Sequence, residues 1–312
     1  MVNQRLRVFA PATVANVGPG FDVLGLALET PGDLLEAELT DSPGVEIVEI
    51  TGDGGRLSRD PMRNVVSLAA ADVLRRAGSS QGLRLWLHKQ MPLASGLGSS
   101  GASSAAGAVA AHEILGRPLS QREVVLSAMA GECAASGTPH ADNVAPSVLG
   151  GIVLVRSYDP FEIVQLPVPE DLRIAVVHPH CQVSTAEARR LVKDRKYALD
   201  TIVANTGSVA ALVAALYRND LPLLGRSVED RIIEPLRATL IPGFTAVKHA
   251  AFSAGALGCS IAGSGPSVFA FANEDSAARR IGAEMQAAFR SVAGLDSDVF
   301  WGKVSTAGAR VV

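Results

Sequence analysis

Cysteine is scarce in this sequence. Only three occur among the 312 residues, at Cys133, Cys181 and Cys259. Three scattered cysteines are too few for a disulfide framework, and none of them forms the CxxC pair that often binds zinc. We therefore expect them to be small core residues of a protein that remains in a reducing cytosol.

An excess of charge of one sign is also lacking, because 28 Lys and Arg residues face 31 Asp and Glu residues, for a net charge of -3. We expect no nucleic acid and no anionic membrane surface as a partner, and a small soluble ligand instead. The first residues, MVNQRLRVFAPATV, contain no long apolar stretch like that of a signal peptide. The Ala-rich segments elsewhere are interrupted by Gly, Ser or charge before they reach membrane-spanning length. The sequence thus predicts a soluble cytoplasmic protein, and its 48% apolar residues suffice for a core.

No internal repeat is present, and the local patterns alternate between strands and helices. The predicted strands cover Leu6–Phe9, Leu34–Leu39, Val45–Ile50, Leu83–His88, Ile152–Arg156, Arg173–Val177, two short segments flanking residues 263–265, and Val299–Val304. The predicted helices cover Asn64–Arg76, Ser100–Leu115, Gln121–Ala135, Thr185–Val192, Ala198–Tyr217, Gly243–Ala254 and Ser276–Phe289. Near residue 160 the periodicity stops at Asp159-Pro160, Pro167 and Pro169. We therefore predict an α+β fold with two domains, residues 1–160 and 161–312.

A segment rich in glycine and serine, Met91–Ala105 (MPLASGLGSSGASSA), follows a predicted strand and opens a predicted helix. Gly96 and Gly98 allow a tight turn, and Ser99 and Ser100 lie where the first N–H groups of a helix have no intrahelical acceptor. Such a helix start attracts anions, so one interpretation is a polyphosphate site with a serine hydroxyl near Mg²⁺. The segment is not a Walker loop, since no Lys follows the final glycine, and no acidic ribose partner of a dinucleotide fold follows it. Taken alone, it fits a plain turn with a helix cap equally well.

Several separated segments resemble, in order and spacing, motifs of the GHMP kinase superfamily, which contains galactokinases, homoserine kinases, mevalonate kinases and phosphomevalonate kinases. The three superfamily motifs are matched by Pro11–Ala27 (PATVANVGPGFDVLGLA), Pro92–Ser100 (PLASGLGSS) and Ile261–Phe269 (IAGSGPSVF). The segments similar to homoserine kinases in particular are His140–Pro146 (HADNVAP), Ser184–Arg189 (STAEAR), Ile233–Arg237 (IEPLR), Ile241–Phe244 (IPGF) and the closing Thr306–Arg310 (TAGAR).

The resemblance covers essentially the whole chain. It implies an N-terminal domain like domain 2 of ribosomal protein S5, a ferredoxin-like C-terminal domain and an active site between them. It also implies ATP and Mg²⁺, a homodimer, and phosphorylation of the side-chain hydroxyl of L-homoserine to O-phospho-L-homoserine in threonine biosynthesis. Thr13 and Val14 replace two serines of the usual first motif, and we expect this departure to be harmless because both residues are small.

The resemblance assigns the substrate to five residues. It gives Arg189 and Arg237 the carboxylate, by bidentate pairing, and gives Asn16 and Asp22 the amino and hydroxyl ends. His140 lies in a polar loop with no other metal-binding side chain at ligand spacing, so we expect a substrate contact. Without the resemblance, lone arginines on helices are more often surface ion-pair partners, and Asn and Asp beside a Gly-Pro-Gly turn are usually turn formers.

The resemblance assigns the nucleotide to the glycine-rich segment and to two residues outside it. The candidates are Pro92, Leu93, Ala94, Ser95, Gly96, Leu97, Gly98, Ser99, Ser100, Gly101, Ala102, Asn64 and Lys89. Glu132 matches the family's Mg²⁺ ligand and is paired here with Ser100; without the resemblance it would be an exposed helical acid. The turn at residues 263–267 is expected to support the phosphate loop and close the site.

Related kinases place a candidate aspartate base beside the reacting hydroxyl. Alignment from Gly150-Gly151 places Asn143 at that position, whereas alignment on the Asp-Asn dipeptide places Asp142 there, and the sequence leaves both registers open. We favour Asn143, with Asn16 beside it in the catalytic set. Because an amide cannot take a proton, the predicted mechanism depends on positioning and electrostatics.

Two other functions compete with this one. One is another superfamily kinase of the mevalonate or sugar type, against which Arg189, Arg237 and His140 argue, since a neutral sugar needs no carboxylate clamp. A ligand sensor that binds nucleotide without turnover would not need an intact phosphate loop or Glu132.

Overall fold

The computed structural model describes residues 5–134 and 137–312 in full, and the backbone alone of residues 135–136. Its N-terminal part contains the strands β1 (Leu6–Ala15), β2 (Leu24–Thr40), β3 (Gly44–Thr51), β4 (Gly82–His88), β5 (Ile152–Tyr158) and β6 (Phe161–Leu166). The helices of this part are α1 (Val65–Arg76), α2 (Ser99–Ile114), α3 (Gln121–Ser136) and α4 (Ala141–Leu149). These elements form one mixed sheet with helices packed on it.

The C-terminal part begins with β7 (Arg173–Pro179) and then becomes helical. The helices are α5 (Thr185–Val192), α6 (Leu199–Arg218), α7 (Leu221–Arg226), α8 (Glu234–Arg237), a 3₁₀ turn (Ala238–Leu240) and α9 (Phe244–Ser253). The chain continues through β8 (Gly258–Ile261), β9 (Val268–Ala272), α10 (Asp275–Ala288), a π-helical turn (Phe289–Ala293), β10 (Ser297–Lys303) and β11 (Arg310–Val311). Strands β7 to β10 form an antiparallel sheet in the order β10-β7-β9-β8. With helices between β7 and β8 and between β9 and β10, this order is that of a ferredoxin-like fold.

The chain crosses between the two parts twice. The predicted boundary at residue 160 falls in the turn of the β5–β6 hairpin, and β6 continues the first sheet as far as Leu166. After β10 the chain returns, because Val304 bridges Leu28 and β11 pairs with β1. The hairpin thus places the first crossing after Leu166, and the first sheet also receives the last strand of the chain.

Helix α2 lies at the centre of the N-terminal part and is buried on nearly all sides from Ser99 to Ala111. Its small side chains allow neighbouring helices to approach closely. A Cβ atom on Gly107 would lie 2.1 Å from the carbonyl oxygen of Val66 in α1, and one on Gly131 in α3 would lie 2.7 Å from Ser104 Oγ. Close packing of this kind fixes the position of the α2 N-terminus, which begins the candidate phosphate site.

Local capping signals explain where two of the neighbouring helices begin. The Asn64 side chain accepts a hydrogen bond from the backbone of Val66 at the start of α1. Ser120 and Glu123 form a reciprocal capping box at the start of α3. Helix α3 begins at the predicted residue and α1 begins one residue after the predicted start, because a side chain two or three residues away determines each start.

Two predictions about composition need correction. Cys259 is buried, but Cys133 is exposed and is therefore not a core residue. Among residues 5–312, α6 is the one helix long and apolar enough to cross a membrane, so the expected interruption before spanning length does not hold there. Leu199, Val203 and Tyr217 of this helix are 75%, 62% and 64% exposed. A single helix of this kind is weak support for a membrane span.

Candidate active site

A cavity of about 780 Å³ lies between the two parts of the chain. Most of the predicted site residues line it, namely Asn16, Asp22, Asn64, Lys89, Leu93, Ala94, Ser95, Gly96, Gly98, Ser99, Ser100, Glu132, His140, Asp142, Asn143, Arg189 and Arg237. Four predicted loop residues do not line it, namely Pro92, Leu97, Gly101 and Ala102. These four belong to the same turn and helix start, and Leu97 and Ala102 are fully buried.

The glycine-rich segment turns sharply before α2. Gly96 has a φ of +81°, and a Cβ atom there would lie 2.5 Å from the carbonyl oxygen of Ala262. Gly98 has a φ of +65° and is the N-cap of α2, whose first N–H groups have no intrahelical acceptor and include those of Ser99 and Ser100, which line the cavity. An anion at this helix start is stabilised by those amides and by the helix dipole.

The turn at residues 263–267 supports this segment, as the sequence predicted. Ser267 donates through its hydroxyl to the carbonyl oxygen of Ser95 at 2.7 Å. On the other side of the turn, Asn16 donates to the carbonyl oxygen of Gly263 at 3.0 Å. The first and third motifs of the resemblance are therefore bonded to each other next to the phosphate segment.

A buried ion pair lies beneath the start of α2. Lys89 donates to the carboxylate of Asp33, to Ser103 Oγ at 2.9 Å and to the carbonyl oxygen of Ser99 at 3.0 Å. The second Asp33 oxygen accepts from the backbone N–H of Gln90 at 2.9 Å. Burial lowers the pKa of Lys89 from its ordinary value, and the Asp33 charge acts in the opposite direction. All three N–H groups of the ammonium are thus used within the protein.

Two oxygen ligands suitable for a metal ion, one hydroxyl and one carboxylate, lie next to the start of α2. Ser100 donates to a carboxylate oxygen of Glu132 at 2.8 Å, and both residues line the cavity. A hydroxyl and a carboxylate are ligands that Mg²⁺ accepts beside phosphate oxygens and water. Among the residues that the structure describes, no group of three or more His, Cys, Asp or Glu is placed to hold a metal ion. An ion at this position would therefore take its remaining ligands from phosphates and water.

His140 extends this cluster, because its Nδ1 lies 3.3 Å from the same Glu132 oxygen. Burial acts to lower the pKa of His140, but the hydrogen bond and charge of Glu132 raise it overall. The residue has a φ of +37° and directly precedes α4. The predicted polar loop is therefore shorter than expected, and Asp142 and Asn143 lie in the first turn of a helix that sequence analysis missed.

Asn143 faces the phosphate segment. Its side-chain carbonyl accepts a hydrogen bond from the Thr13 hydroxyl at 2.9 Å, which leaves the amide N–H groups as donors. A Cβ atom on Gly98 would lie 2.6 Å from this carbonyl oxygen and 2.1 Å from Thr13 Oγ1. Only glycine at residue 98 allows Thr13 and Asn143 to meet beside the phosphate segment.

Asp142 lies deeper in the cavity wall and is 2% exposed. Its Oδ1 has no hydrogen-bond partner among the described residues. Burial, reinforced by the charge of Asp22, raises its pKa from 3.8 to about 7. The two carboxyl groups together favour a cationic ligand group on this side of the cavity.

The C-terminal part contributes two arginines to the same end of the cavity. Arg189 makes a bidentate ion pair with Asp22, with distances of 3.0 and 3.2 Å. Arg237 is buried and donates to the carbonyl oxygen of Gly263 at 2.7 Å. Both guanidinium groups lie over the ring of Phe21, at 5.7 and 5.0 Å. A cation pair of this kind suits a carboxylate.

Several cavity residues were missed from the sequence. They are Ala15, Leu57, Ser58, Arg63, Val65, Ser103, Thr138, Thr185, Ala186, Arg190 and Lys193. Thr13 and Asp33, which hold Asn143 and Lys89, were missed as well. A usable signal existed for Arg190 and Lys193, since helical spacing places them on one side of α5 with Ala186. For Asp33 there was none, because its partner is 56 residues away.

Comparisons with known proteins match this chain to one family. The N-terminal domain model of the GHMP kinases matches residues 64–151, and the C-terminal model matches residues 212–291. A homoserine kinase of Chloroherpeton thalassium is 46% identical over 97% of this chain and 98% of its own length. A homoserine kinase of Arabidopsis thaliana is 43% identical over 98% of this chain and 84% of its own length.

Among solved structures, the crystal structure of homoserine kinase from Cytophaga hutchinsonii is similar over 100% of this chain and 98% of its own, with a TM-score of 0.96 and 48% identity. The predicted two-domain α+β fold is confirmed. The family models and the full-length relatives point the same way, and the chain belongs to the GHMP kinase family.

Proposed function

We propose that this protein transfers the γ-phosphoryl group of ATP to the side-chain hydroxyl of L-homoserine, which yields O-phospho-L-homoserine and ADP for threonine biosynthesis. One observation carries the proposal: a single cavity joins an anion-binding helix start to a carboxylate-binding pair of arginines. The names of the full-length relatives support the choice of homoserine.

The nucleotide occupies the N-terminal side of the cavity in this proposal. The phosphates lie against the segment from Pro92 to Ala102, and Asn64 lies toward the nucleoside. Lys89 acts beneath the segment, since its ammonium is bonded to Asp33, Ser99 and Ser103. Ser100 and Glu132 hold Mg²⁺, which neutralises phosphate charge when bound.

The amino acid occupies the other end. Arg189 and Arg237 bind its carboxylate, while Asn16 and Asp22 hold the amino and hydroxyl ends and His140 completes the contact. Arg189 and Asp22 pair with each other in the structure, so a zwitterion entering between them offers each one an opposite charge. A neutral sugar would offer neither charge.

Catalysis is proposed to proceed without a carboxylate base. The homoserine hydroxyl oxygen forms a bond to the γ-phosphorus, the bond to the β–γ bridging oxygen breaks, and the hydroxyl proton passes to the transferred phosphoryl group. Asn143 donates its amide beside the phosphate segment and cannot accept that proton. The helix-start amides stabilise the charge that spreads over the phosphoryl oxygens. Asp142 has a pKa of about 7 but lies next to Asp22, toward the cationic end of the substrate.

The test is an ADP-release assay with MgATP and L-homoserine, L-threonine, mevalonate or galactose as the acceptor. We expect turnover with L-homoserine at a kcat/KM at least about 100-fold above that of the others, since a site that pairs charged groups discriminates against ligands that leave them unpaired. Galactose offers neither a carboxylate nor an ammonium group, mevalonate offers no ammonium group, and the hydroxyl of L-threonine is secondary and one carbon closer to the α-carbon. Preferential turnover of mevalonate or galactose would reassign the acceptor. Nucleotide binding without turnover of any of the four would favour a sensor.

We further propose a cytoplasmic homodimer that pairs through α6. Leu199, Val203 and Tyr217 form an exposed apolar stripe along this helix, and its two ends carry Asp200 and Arg218. Antiparallel pairing of two copies would bury the stripe and place the Asp200 of one copy beside the Arg218 of the other. Light scattering after size-exclusion chromatography should give twice the monomer mass for the wild type and the monomer mass for Val203→Glu. A monomeric wild type that binds lipid vesicles would assign the stripe to a membrane instead.

A further inference from the structure

Cationic side chains are numerous around the cavity. Six lysines and arginines line it, namely Arg63, Lys89, Arg189, Arg190, Lys193 and Arg237. The acids that line it are fewer, namely Asp22, Glu132 and Asp142. The cavity therefore carries more positive charge than its own acids neutralise.

Three of the six are bound within the protein. Lys89 uses all three N–H groups beneath the phosphate segment. Arg189 pairs with Asp22 through two bonds, and Arg237 donates to the carbonyl oxygen of Gly263. Arg189 and Arg237 are also the residues assigned to the substrate carboxylate. None of the three is placed to follow the nucleotide phosphates.

Arg190 and Lys193 differ from these three. They follow Ala186 at intervals of four and three residues, and all three positions line the cavity from one side of α5 and its C-terminal cap. Both side chains are exposed. No acid among the described residues lies within ion-pair distance of either one. Arg63, the remaining cation, comes from the opposite, N-terminal wall.

Such cations suit the chemistry of the site. Phosphoryl transfer spreads negative charge over the phosphoryl oxygens, and P-loop enzymes meet this charge partly with a lysine of the phosphate loop. The segment Met91–Ala105 contains no lysine. Its amides and the helix dipole supply part of the stabilisation, but a side-chain cation has to come from outside the loop.

We propose that Arg190 and Lys193 bind the phosphates of the nucleotide, so that a helix of the C-terminal part supplies the cations that the phosphate segment lacks. The proposal rests on the kinase function proposed above, but not on the identity of the acceptor. Because α5 also carries Arg189, one helix would contact both substrates and would align the acceptor with the γ-phosphate.

The test is isothermal titration calorimetry of the full chain with ATP, ADP and adenosine, each in the absence of an amino acid. The variants are Arg190→Gln, Lys193→Gln and the double variant. The matched controls are Arg195→Gln and Lys196→Gln, which remove exposed cations from the same segment but do not line the cavity.

We expect each cavity variant to raise the Kd of ATP and ADP about threefold to tenfold, as for partly exposed charge-assisted pairs, and the double variant to raise it more than either single variant. The affinity for adenosine should not change, and the controls should match the wild type. The dependence of the ATP Kd on salt should also be weaker in the double variant, because fewer charge pairs are screened.

An ATP Kd within twofold of the wild type in the double variant would overturn the proposal. Equal weakening of adenosine binding would also overturn it, since it would reveal a structural effect. An unchanged ATP Kd together with a rise in the KM of the acceptor, measured separately in the ADP-release assay, would reassign the two cations to the acceptor carboxylate. If the wild type binds ATP but does not phosphorylate L-homoserine, the proposed acceptor fails while the calorimetric result still decides this inference.

Discussion

The Thr13 hydroxyl donates a 2.9 Å hydrogen bond to the side-chain carbonyl of Asn143, across 130 residues of sequence. This bond orients the amide of Asn143 toward the cavity. Thr13 also donates through its backbone N–H to the carbonyl oxygen of Leu97 at 3.0 Å. One buried residue thus links the side chain beside the reacting groups to the segment that binds the phosphates.

Replacing Thr13 should therefore affect turnover more than binding. In Thr13→Val the shape is kept and the donor is lost, so Asn143 can rotate; we expect kcat to fall about threefold to thirtyfold, in line with the cost of an unpaired buried polar group. Thr13→Ser keeps the hydroxyl and should retain most of kcat. Steady-state measurements of kcat and of KM for both substrates test this prediction, and Tm checks that each variant is folded. Equal kcat values for the two variants would show that the hydroxyl does not position Asn143.

The Ser100–Glu132 pair leads to a prediction about metal. Ser100→Ala and Glu132→Gln each remove an oxygen donor, so each should lower kcat and raise the Mg²⁺ concentration needed for half-maximal rate. Titration of Mg²⁺ at fixed ATP measures the shift. Glu113→Gln, which changes an acid outside the cavity, is the matched control. Unchanged Mg²⁺ dependence in both cavity variants would remove this pair from the metal site.

Asp142 separates the two possible mechanisms. If it were the general base, Asp142→Asn would lower kcat about 10²- to 10⁴-fold. We expect kcat to stay within about threefold of the wild type, because Asn143 rather than Asp142 faces the phosphate segment. A thousandfold fall with unchanged fold and homoserine KM would make Asp142 the base.

The same residue predicts how stability depends on pH. The pKa of Asp142 is raised from 3.8 to about 7 in the folded protein. The folded state therefore holds this proton more tightly, and the associated stability is present below pH 4 and is lost as the pH rises to about 7. Asp142→Asn has no proton to lose. Its Tm relative to the wild type should increase between pH 5 and pH 8, and a constant difference would contradict the raised pKa.

Replacing Arg189 or Arg237 should weaken the use of homoserine without weakening the binding of ATP. Arg189→Ala and Arg237→Ala should each lower kcat/KM for homoserine about tenfold to 150-fold, since charge-assisted hydrogen bonds contribute about 1.5 to 3 kcal/mol. The Kd of ATP should remain nearly unchanged. Arg231→Ala removes an exposed arginine paired with Glu229 and serves as the control. Equal weakening of ATP binding would place the arginines on the phosphates.

The Asp33–Lys89 pair predicts a large effect on folding. Asp33→Asn leaves a buried ammonium without its counter-ion, so the free energy of unfolding should fall by about 3 to 5 kcal/mol. The double variant Asp33→Leu with Lys89→Met should be less destabilised than Asp33→Asn, because no charge remains buried. Urea unfolding measures both. A double variant that is less stable than the single one would indicate a role for the pair beyond charge balance.

Much of the fold could be predicted because it is specified locally. Helix α5 has the predicted bounds, and α1 begins one residue after the predicted start at Asn64, since side chains within a turn determine these positions. Helix α4 was missed because its first turn contains polar residues and Pro146 lies inside it. Strand β6 was missed because the prolines around residues 160–169 hide a short strand whose partner is β5.

The candidate site also contains some residues that the sequence could predict and others that it could not. The phosphate segment was recognisable because its glycines and serines are consecutive. Asp33, by contrast, sits within a long strand with no local pattern that marks it, and only the fold brings it to Lys89. No local pattern indicates the bond between Thr13 and Asn143 either, and the sequence alone shows only that Thr13 is small.

The two crossings between the parts of the chain limit how the cavity can open. A protein whose halves share one linker can swing or twist freely about it. Here a second connection, through Val304 to β11, is paired into the first sheet. On its way it bonds to the end of α4, since Gly151 donates to the carbonyl oxygen of Ser305 at 2.6 Å and Ala309 donates to that of Ser147 at 2.7 Å. Any relative motion of the two parts that opens the cavity therefore has to keep both connections in place.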